Sequence, residues 1–256
     1  MSKVITISEA INIIKDYDTV AIGGFVGIGH PEEIISEMEK KFLKTGKPND
    51  LTIVYAAGQG DRKTKGINHL AHVGLIKKVI FGHIGLAPKM AELITSNLIE
   101  AYNFPQGVIT QLCRDIASKK PGTIKKTGIN TFVDPRISGG RTNKISNENL
   151  VEIININNDD YLFYKYFPIN IALIKGTYAD EHGNISMEKE ACSLEMLAIA
   201  QAAHNCGGKV IAQVDNVVKN STLNPWLVKI PGVLVDSIII ANEKYKSQTF
   251  TEKYNP

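Results

Sequence analysis

The chain reads as an open α/β fold, a mostly parallel sheet with helices on both faces. Three observations predict it. Short β-branched runs alternate with amphipathic helical stretches. Several of the runs end on glycines where a strand hands over to a helix. No repeat, low-complexity tract or linker divides the chain cleanly, so its 256 residues suit one large α/β domain.

The elements follow in order. Thr19-Val20-Ala21-Ile22 is a strand that runs into Gly23-Gly24. Pro31 stands at a helix first turn, and Glu32 and Glu33 suit the positive end of its dipole. Ile34, Ile35, Met38 and Phe42 carry the apolar stripe, and Gly46 stops the helix. Leu51 to Tyr55 and Lys78 to Phe81 are strands. A helix is expected from Ala87 to about Asn97, a strand from Ile99 to Asn103, and a helix from Val108 to about Ser118. Lys119 to Asn149 is polar and rich in Pro and Gly, a long loop of the kind that is often functional. Tyr161 to Phe167 and Asn170 to Tyr178 read as strands, with a turn at Asp180 to Asn184. Ala191 to Asn205 is apolar nearly all round, which marks a buried helix, and Gly207-Gly208 ends it. Lys209 to Val214 and Val233 to Ala241 are β-branched strands.

Composition narrows the function classes. Lys and Arg number 29 and Asp and Glu 26, a surplus of +3 that is too small and too scattered for a nucleic-acid surface. No apolar run approaches the ~20 residues of a membrane span. The start, Met1 to Thr6, lacks the apolar segment and cleavage site of a signal peptide. Cys113, Cys192 and Cys206 are an odd number at wide spacing, so reduced thiols and a cytoplasmic location are expected. No metal-ligand spacing and no Gly-x-Ser-x-Gly elbow occur, so no metal is expected.

Six stretches could carry chemistry. Gly23 to Pro31 puts four glycines between a strand and a helix start, where backbone can approach an anion. The structural reading is a tight turn, with His30 holding it. Tyr102-Asn103-Phe104-Pro105-Gln106-Gly107 lies where a strand meets a helix, at the end of a sheet where ligands bind. Pro105 restrains Phe104, and Gln106 is set at the mouth with an amide able to donate to an oxyanion; otherwise it is an exposed loop residue. Ala57 to Arg62 closes on an Asp-Arg pair that anchors a substrate or its own loop. His83, in Phe81 to Gly85, is a base or an edge residue. Thr131 to Arg136 with Gly139-Gly140 is a rigid turn, and Glu188-Lys189-Glu190 reads as helix capping and solvation.

Taken together and in this order, these stretches resemble the acyl-CoA:carboxylate CoA-transferases of the 3-oxoacid, acetate and propionate type, over essentially the whole chain. Gly23 to Gly29 resembles the first glycine loop, and Tyr102 to Gly107 the Pro-Gln-Gly motif. Gly60-Asp61-Arg62 with Lys65-Gly66-Ile67, Gly82 to Gly85 and Gly128 to Arg136 are similar to the single-chain branch. Ala198 to Ala202 with Asn205, Gly207 and Gly208, and Ile230-Pro231-Gly232, agree as well.

The resemblance implies an α/β architecture of the CoA-transferase or NagB-like kind. It implies transfer of CoA from a short-chain acyl-CoA to a free carboxylate through a glutamyl-CoA thioester, with ping-pong kinetics. CoA is then a substrate, and no cofactor is implied. Gln106 inherits the oxyanion donor role, and Gly24, Phe25, Val26, Gly27 and Gly29 line the carboxylate pocket. The family's nucleophilic glutamate lies in a second half, in a Glu-Asn-Gly or Glu-Thr-Gly motif that this sequence lacks. Glu188 and Glu190 do not stand at the matching place. Residues 1–242 therefore read as the alpha-like, N-terminal domain, and 243–256 as the start of a linker toward a second half. A beta-like partner half or subunit and a homo-oligomer are the expected associations. Two rival readings remain: a sugar-phosphate isomerase using Asp61 and Lys65, and a non-catalytic ligand-sensing domain.

Overall fold

The structure, a computed structural model, describes residues 3–256. The first half comprises α1 (Ile7–Ile13), β1 (Thr19–Ile22), α2 (Glu32–Thr45), β2 (Leu51–Tyr55), a 3-10 turn (Ile67–Leu70), β3 (Ile76–Phe81), α3 (Pro88–Thr95), β4 (Glu100–Asn103) and α4 (Gln106–Ala117). An excursion follows through β5 (Gly122–Lys125), β6 (Val151–Ile156) and β7 (Asp159–Lys165). The rest is β8 (Ile171–Asp180), β9 (Ile185–Ser186), α5 (Met196–Asn205), β10 (Lys209–Val218), β11 (Val228–Ile230) and β12 (Ser237–Ile240).

The main sheet runs β12-β10-β8-β1-β2-β3-β4, and every pair in that row is parallel. This confirms the expected fold class. Strands β9 and β11 add an antiparallel extension beyond the end of β1. The chain starts at the centre, lays strands outward to β4, and returns to pair β8 on the other side of β1. The strand order thus reverses between β1 and β8, and the carboxyl ends beside that point are where open α/β sheets bind ligands.

Alternation along the strands builds two cores. Ala21, Val54, Ile80, Ala172 and Ile174 face one side, where α4 and α5 pack. Val20, Ile22, Ile53, Val79 and Leu173 face the other, against α1, α2 and α3. Helices therefore cover both faces, as parallel strands require. Helix α2 stops where Gly46 takes φ 69°, left-handed, and its amide bonds back to Phe42 O at 2.7 Å.

The structure adds and corrects elements. Helix α1, capped by a reciprocal Thr6–Glu9 pair, and strands β5, β6, β9 and β11 were not legible in the pattern. The helix expected from Ala191 begins only at Met196, because Leu194 takes φ 47° and breaks the run. The strand expected from Val233 begins at Ser237, after Pro231 and a short 3-10 turn. Helix α4 begins at Gln106, two residues before the expected start. The long loop covers the open edge of β4: Asn103 N–H bonds to Gly140 O at 2.8 Å, and Thr142 N–H to Ala101 O at 3.0 Å. Among the described residues no helix is long and apolar enough to cross a membrane.

Candidate functional site

The carboxyl ends of β1, β2, β3 and β4 form one continuous edge, and four of the stretches singled out from sequence meet there. Phe25 and Ile28 exchange backbone hydrogen bonds at 2.9 and 2.8 Å, which closes the loop after β1 into a tight turn. Val26 N–H then bonds to Gly58 O at 2.7 Å, and Gly60 N–H to Val26 O at 3.1 Å, joining that loop to the one after β2. A Cβ on Gly58 would lie 2.5 Å from the ring of His83, after β3. A Cβ on Gly82 would lie 2.0 Å from Ala56 O and 3.1 Å from Gln106 Cα. The glycines stand where neighbouring loops touch, and side chains there would force the loops apart.

Gln106 is exposed at the far end of this edge, in the first turn of α4. The first bond of the helix, Val108 N–H to Pro105 O at 2.8 Å, comes after the amides of Gln106 and Gly107. Phe104 N–H and the Asn103 side chain both bond to Phe81 O at 2.9 Å and fix the approach. In the glycine loop, Phe25 is exposed and Val26 half-buried, while Gly24, Gly27 and Gly29 are buried. Val26 takes φ 56°, a strained conformation for a β-branched residue that costs on the order of 1–3 kcal/mol. Its two backbone bonds to the next loop hold it there.

Beneath the loop lies a buried polar layer. Lys175 Nζ sits 3.0 Å from Glu190 Oε1, with both side chains 2% exposed. Gly29 N–H donates to the other Glu190 oxygen at 3.2 Å, and Lys175 donates to Ser247 O at 2.7 Å. Such a pair is tolerated only when these further hydrogen bonds offset its desolvation. Glu190 is thus a buried anchor, where the sequence pattern suggested solvated capping. Lys175 had a legible signal, a lone cation after the apolar run Ile171 to Ile174.

Asp215, on β10, is raised to about 6 by burial, which the nearby Lys175 only partly offsets. Glu195 is raised to about 7 by burial, although the Gly24 amide favours its ionised form. Burial likewise pushes the Cys113 thiol up to about 12, which makes it inert.

The remaining stretches serve structure. Asp61 Oδ1 accepts from the amides of Lys63, Thr64 and Lys65 and so closes its own loop, leaving it poorly placed as a base. His83 is exposed at the rim. Asp134 holds Arg136 and the Asn130 amide, and that pairing keeps its carboxyl far below the usual range. Residues 243–256 fold back over the glycine loop. The Phe250 ring lies edge-on to His30 at 5.9 Å, and Lys65 donates to Phe250 O at 3.0 Å. A cavity of about 240 Å³ remains there, lined by Gly27, His30, Lys65, Tyr245 and Phe250. A larger groove of about 480 Å³, lined by Arg136, Arg141 and Glu152, lies on the lobe of the second sheet, away from the strand-end edge. Among the described residues no group of three or more His, Cys, Asp or Glu is set to hold a metal ion.

Comparison with known proteins places this geometry. Residues 4–241 match the family model for coenzyme A transferase. The chain is 44% identical over 244 residues to caffeate CoA-transferase from Acetobacterium woodii, covering 95% of this chain and 47% of that protein. Its fold superposes on the acyl-CoA transferase YdiF apoenzyme from Escherichia coli O157:H7 with a TM-score of 0.95 at 40% identity, covering 97% of this chain and 48% of that one. The acetate CoA-transferase subunit alpha of Escherichia coli K12 is 26% identical over 242 residues, 94% of this chain and 98% of the subunit. The chain thus spans about half the length of the first two and nearly all of the third. A match that runs through the glycine loop and Gln106, on the same fold, makes this chain a member of the coenzyme A transferase family, in its alpha-type half.

Proposed function

We propose that this chain supplies the oxyanion-stabilising half of an enzyme that moves CoA between a short-chain acyl-CoA and a free carboxylate of the acetate, propionate or acetoacetate class. A glutamate carboxylate of a beta-like half or subunit attacks the thioester carbonyl. The tetrahedral intermediate collapses to a mixed anhydride and releases CoA thiolate. The thiolate attacks the glutamyl carbonyl, giving glutamyl-CoA and the first free carboxylate. A second carboxylate then takes CoA by the reverse sequence. Gln106 donates to the oxyanion at each addition. The strained, half-exposed Val26 and its loop bound the carboxylate pocket, and copies of the assembled enzyme associate further.

The observation that carries this reading is the exposed Gln106 at the end of a glycine-lined strand edge, in a chain about half as long as the caffeate CoA-transferase it matches. The test is to assay acetyl-CoA with a second carboxylate, using the purified chain alone and with a beta-like half. The chain alone is expected to be inactive and the pair active. Gln106→Ala in the pair lowers kcat by roughly 10²–10³ with an unchanged melting temperature. Turnover by the chain alone would refute the division of labour.

A further inference from the structure

His72, Glu39, His69, Glu32 and His30 form one line of polar contacts from the half-buried surface into the glycine loop. His72 Nε2 meets Glu39 Oε1 at 2.8 Å, and the other Glu39 oxygen meets His69 Nδ1. His69 Nε2 lies 3.1 Å from Glu32 Oε1. Glu32 Oε2 accepts from Gly66 N–H at 3.0 Å, and His30 Nε2 lies 3.4 Å from it without a hydrogen bond. His30 Nδ1 in turn lies 2.7 Å from Gln59 Oε1, and the Gln59 amide nitrogen donates to Ile22 O at 2.9 Å.

The hydrogen atoms can be placed from the partners. A carbonyl only accepts, so the Gln59 nitrogen faces Ile22 and its oxygen faces His30. His30 Nδ1 therefore carries a hydrogen. Both nitrogens of His69 face carboxylates, which only accept when ionised, so both carry hydrogens and His69 is an imidazolium. A neutral His69 would present a lone pair to one of the two carboxylates.

We propose that His69 is a positioning residue for the glycine loop, a proton-dependent clamp that ties Glu32, at the loop's base, to Glu39, two turns along α2. Loss of one proton from His69 breaks one of its two carboxylate bonds. Glu32 is then free to swing, the Gly66 amide loses a fixed acceptor, and the 66–70 turn and the loop from 24 to 30 loosen. The catalytic meaning of that loosening rests on the proposed function; the clamp itself does not.

The charges around His69 favour the imidazolium. Glu32 and Glu39 face it from α2 and His72 from its own segment, with His30 beyond Glu32. Helix α3, also packed on the turn, brings Lys89, whose backbone amide bonds to the Asn68 side chain, and Glu92. Burial pulls His69 down, but the hydrogen bonds to Glu32 and Glu39 outweigh it and hold it above 6.5. Burial lowers His30, against the pull of Glu32, and its Nε2 makes no hydrogen bond. A raised folded value means the clamp is closed at low pH and opens as the pH rises through that value.

Hydrogen exchange of the chain at pH 6 and pH 9, corrected for intrinsic rates, tests the proposal. Protection of residues 24–30 and 66–70 is expected to fall about 10-fold between the two, while β8 and β10 are unchanged. His69→Gln gives the lower protection at both. The His69 ring, followed by NMR, titrates above 6.5, and Glu39→Gln moves that midpoint down. Protection that does not change with pH, or that keeps its pH dependence in His69→Gln, would overturn the clamp. Should His69→Gln fail to fold by circular dichroism, an unmoved midpoint in Glu39→Gln overturns it instead. A clamp that behaves as described in an assembly with no transferase activity would refute the proposed function and not the clamp.

Discussion

Gly82→Ala tests whether the strand-end edge is a fixed surface. Its Cβ would lie 2.0 Å from Ala56 O, against the 3.4 Å at which ordinary contact begins, so the ends of β2 and β3 must part by about 1.4 Å. The obstacle is backbone and cannot swing aside. Overpacking of this kind costs ~1–3 kcal/mol, and this case belongs at the upper end. The displacement passes to Gln106, whose Cα is only 3.1 Å from the new atom and whose approach hangs on Phe81 O. If Gln106 is the oxyanion donor proposed above, a shift of about 1 Å there lowers the rate by roughly 10². Gly107→Ala, at the residue after Gln106, is the control. Nothing lies within 4 Å of its Cβ, and alanine favours a helix over glycine by ~0.5–1 kcal/mol. Urea unfolding of both variants, with kcat of the complemented enzyme, measures the contrast. A wild-type midpoint for Gly82→Ala, or equal losses in the two variants, would refute the reasoning.

Three further outcomes are expected. Lys175→Met leaves Glu190 charged and buried, and costs ~3–5 kcal/mol in urea unfolding. Adding Glu190→Gln recovers most of it, and a double variant no better than the single would argue against the pair as anchor. Glu195 titrates at about 7 when folded and at 4.5 as an ordinary glutamate, so stability is lost as the pH rises from the lower value through the higher. Glu195→Gln therefore raises the melting temperature at pH 8 and leaves it unchanged at pH 4; equal shifts at both would contradict this. Asp134 has the opposite sign. Its pairing stabilises fully above 3.8 and fades as the pH falls toward the depressed folded value, so Asp134→Asn flattens the acid limb of the stability curve.

The parts of the fold legible in sequence are those set by local pattern. Helix α2 showed its stripe, its acidic first turn and its Gly46 stop, and the buried strands showed β-branched runs. Of the second sheet only β7 was legible, as the run from Tyr161; its partner β6 was hidden because it is largely half-exposed with no clean alternation. The site divides in the same way. Gln106 and the glycine loop stood at strand ends, where chain order alone places them. Glu190 was misread because its burial depends on Lys175, β8 and the loop after β1, all distant in sequence. The line from His72 to His30 was invisible for that reason too, since only folding brings α2 and the 66–70 turn together.

The pairing of β1 with β8 has a consequence for how the chain folds. Val20, Ala21 and Ile22 register with Ile171, Ala172 and Leu173, so the centre of the sheet joins strands far apart in the chain. The strands outward of β1 pair across short crossovers, and those outward of β8 do the same. Closing a loop of this span carries a large entropic cost before any contact repays it, and non-local pairing slows folding. The glycine loop begins at the residue after β1 and its floor is built on β8, so it takes shape only when that seam joins. Pulse-labelled hydrogen exchange during refolding is expected to protect β10 and β12 before residues 24 to 30.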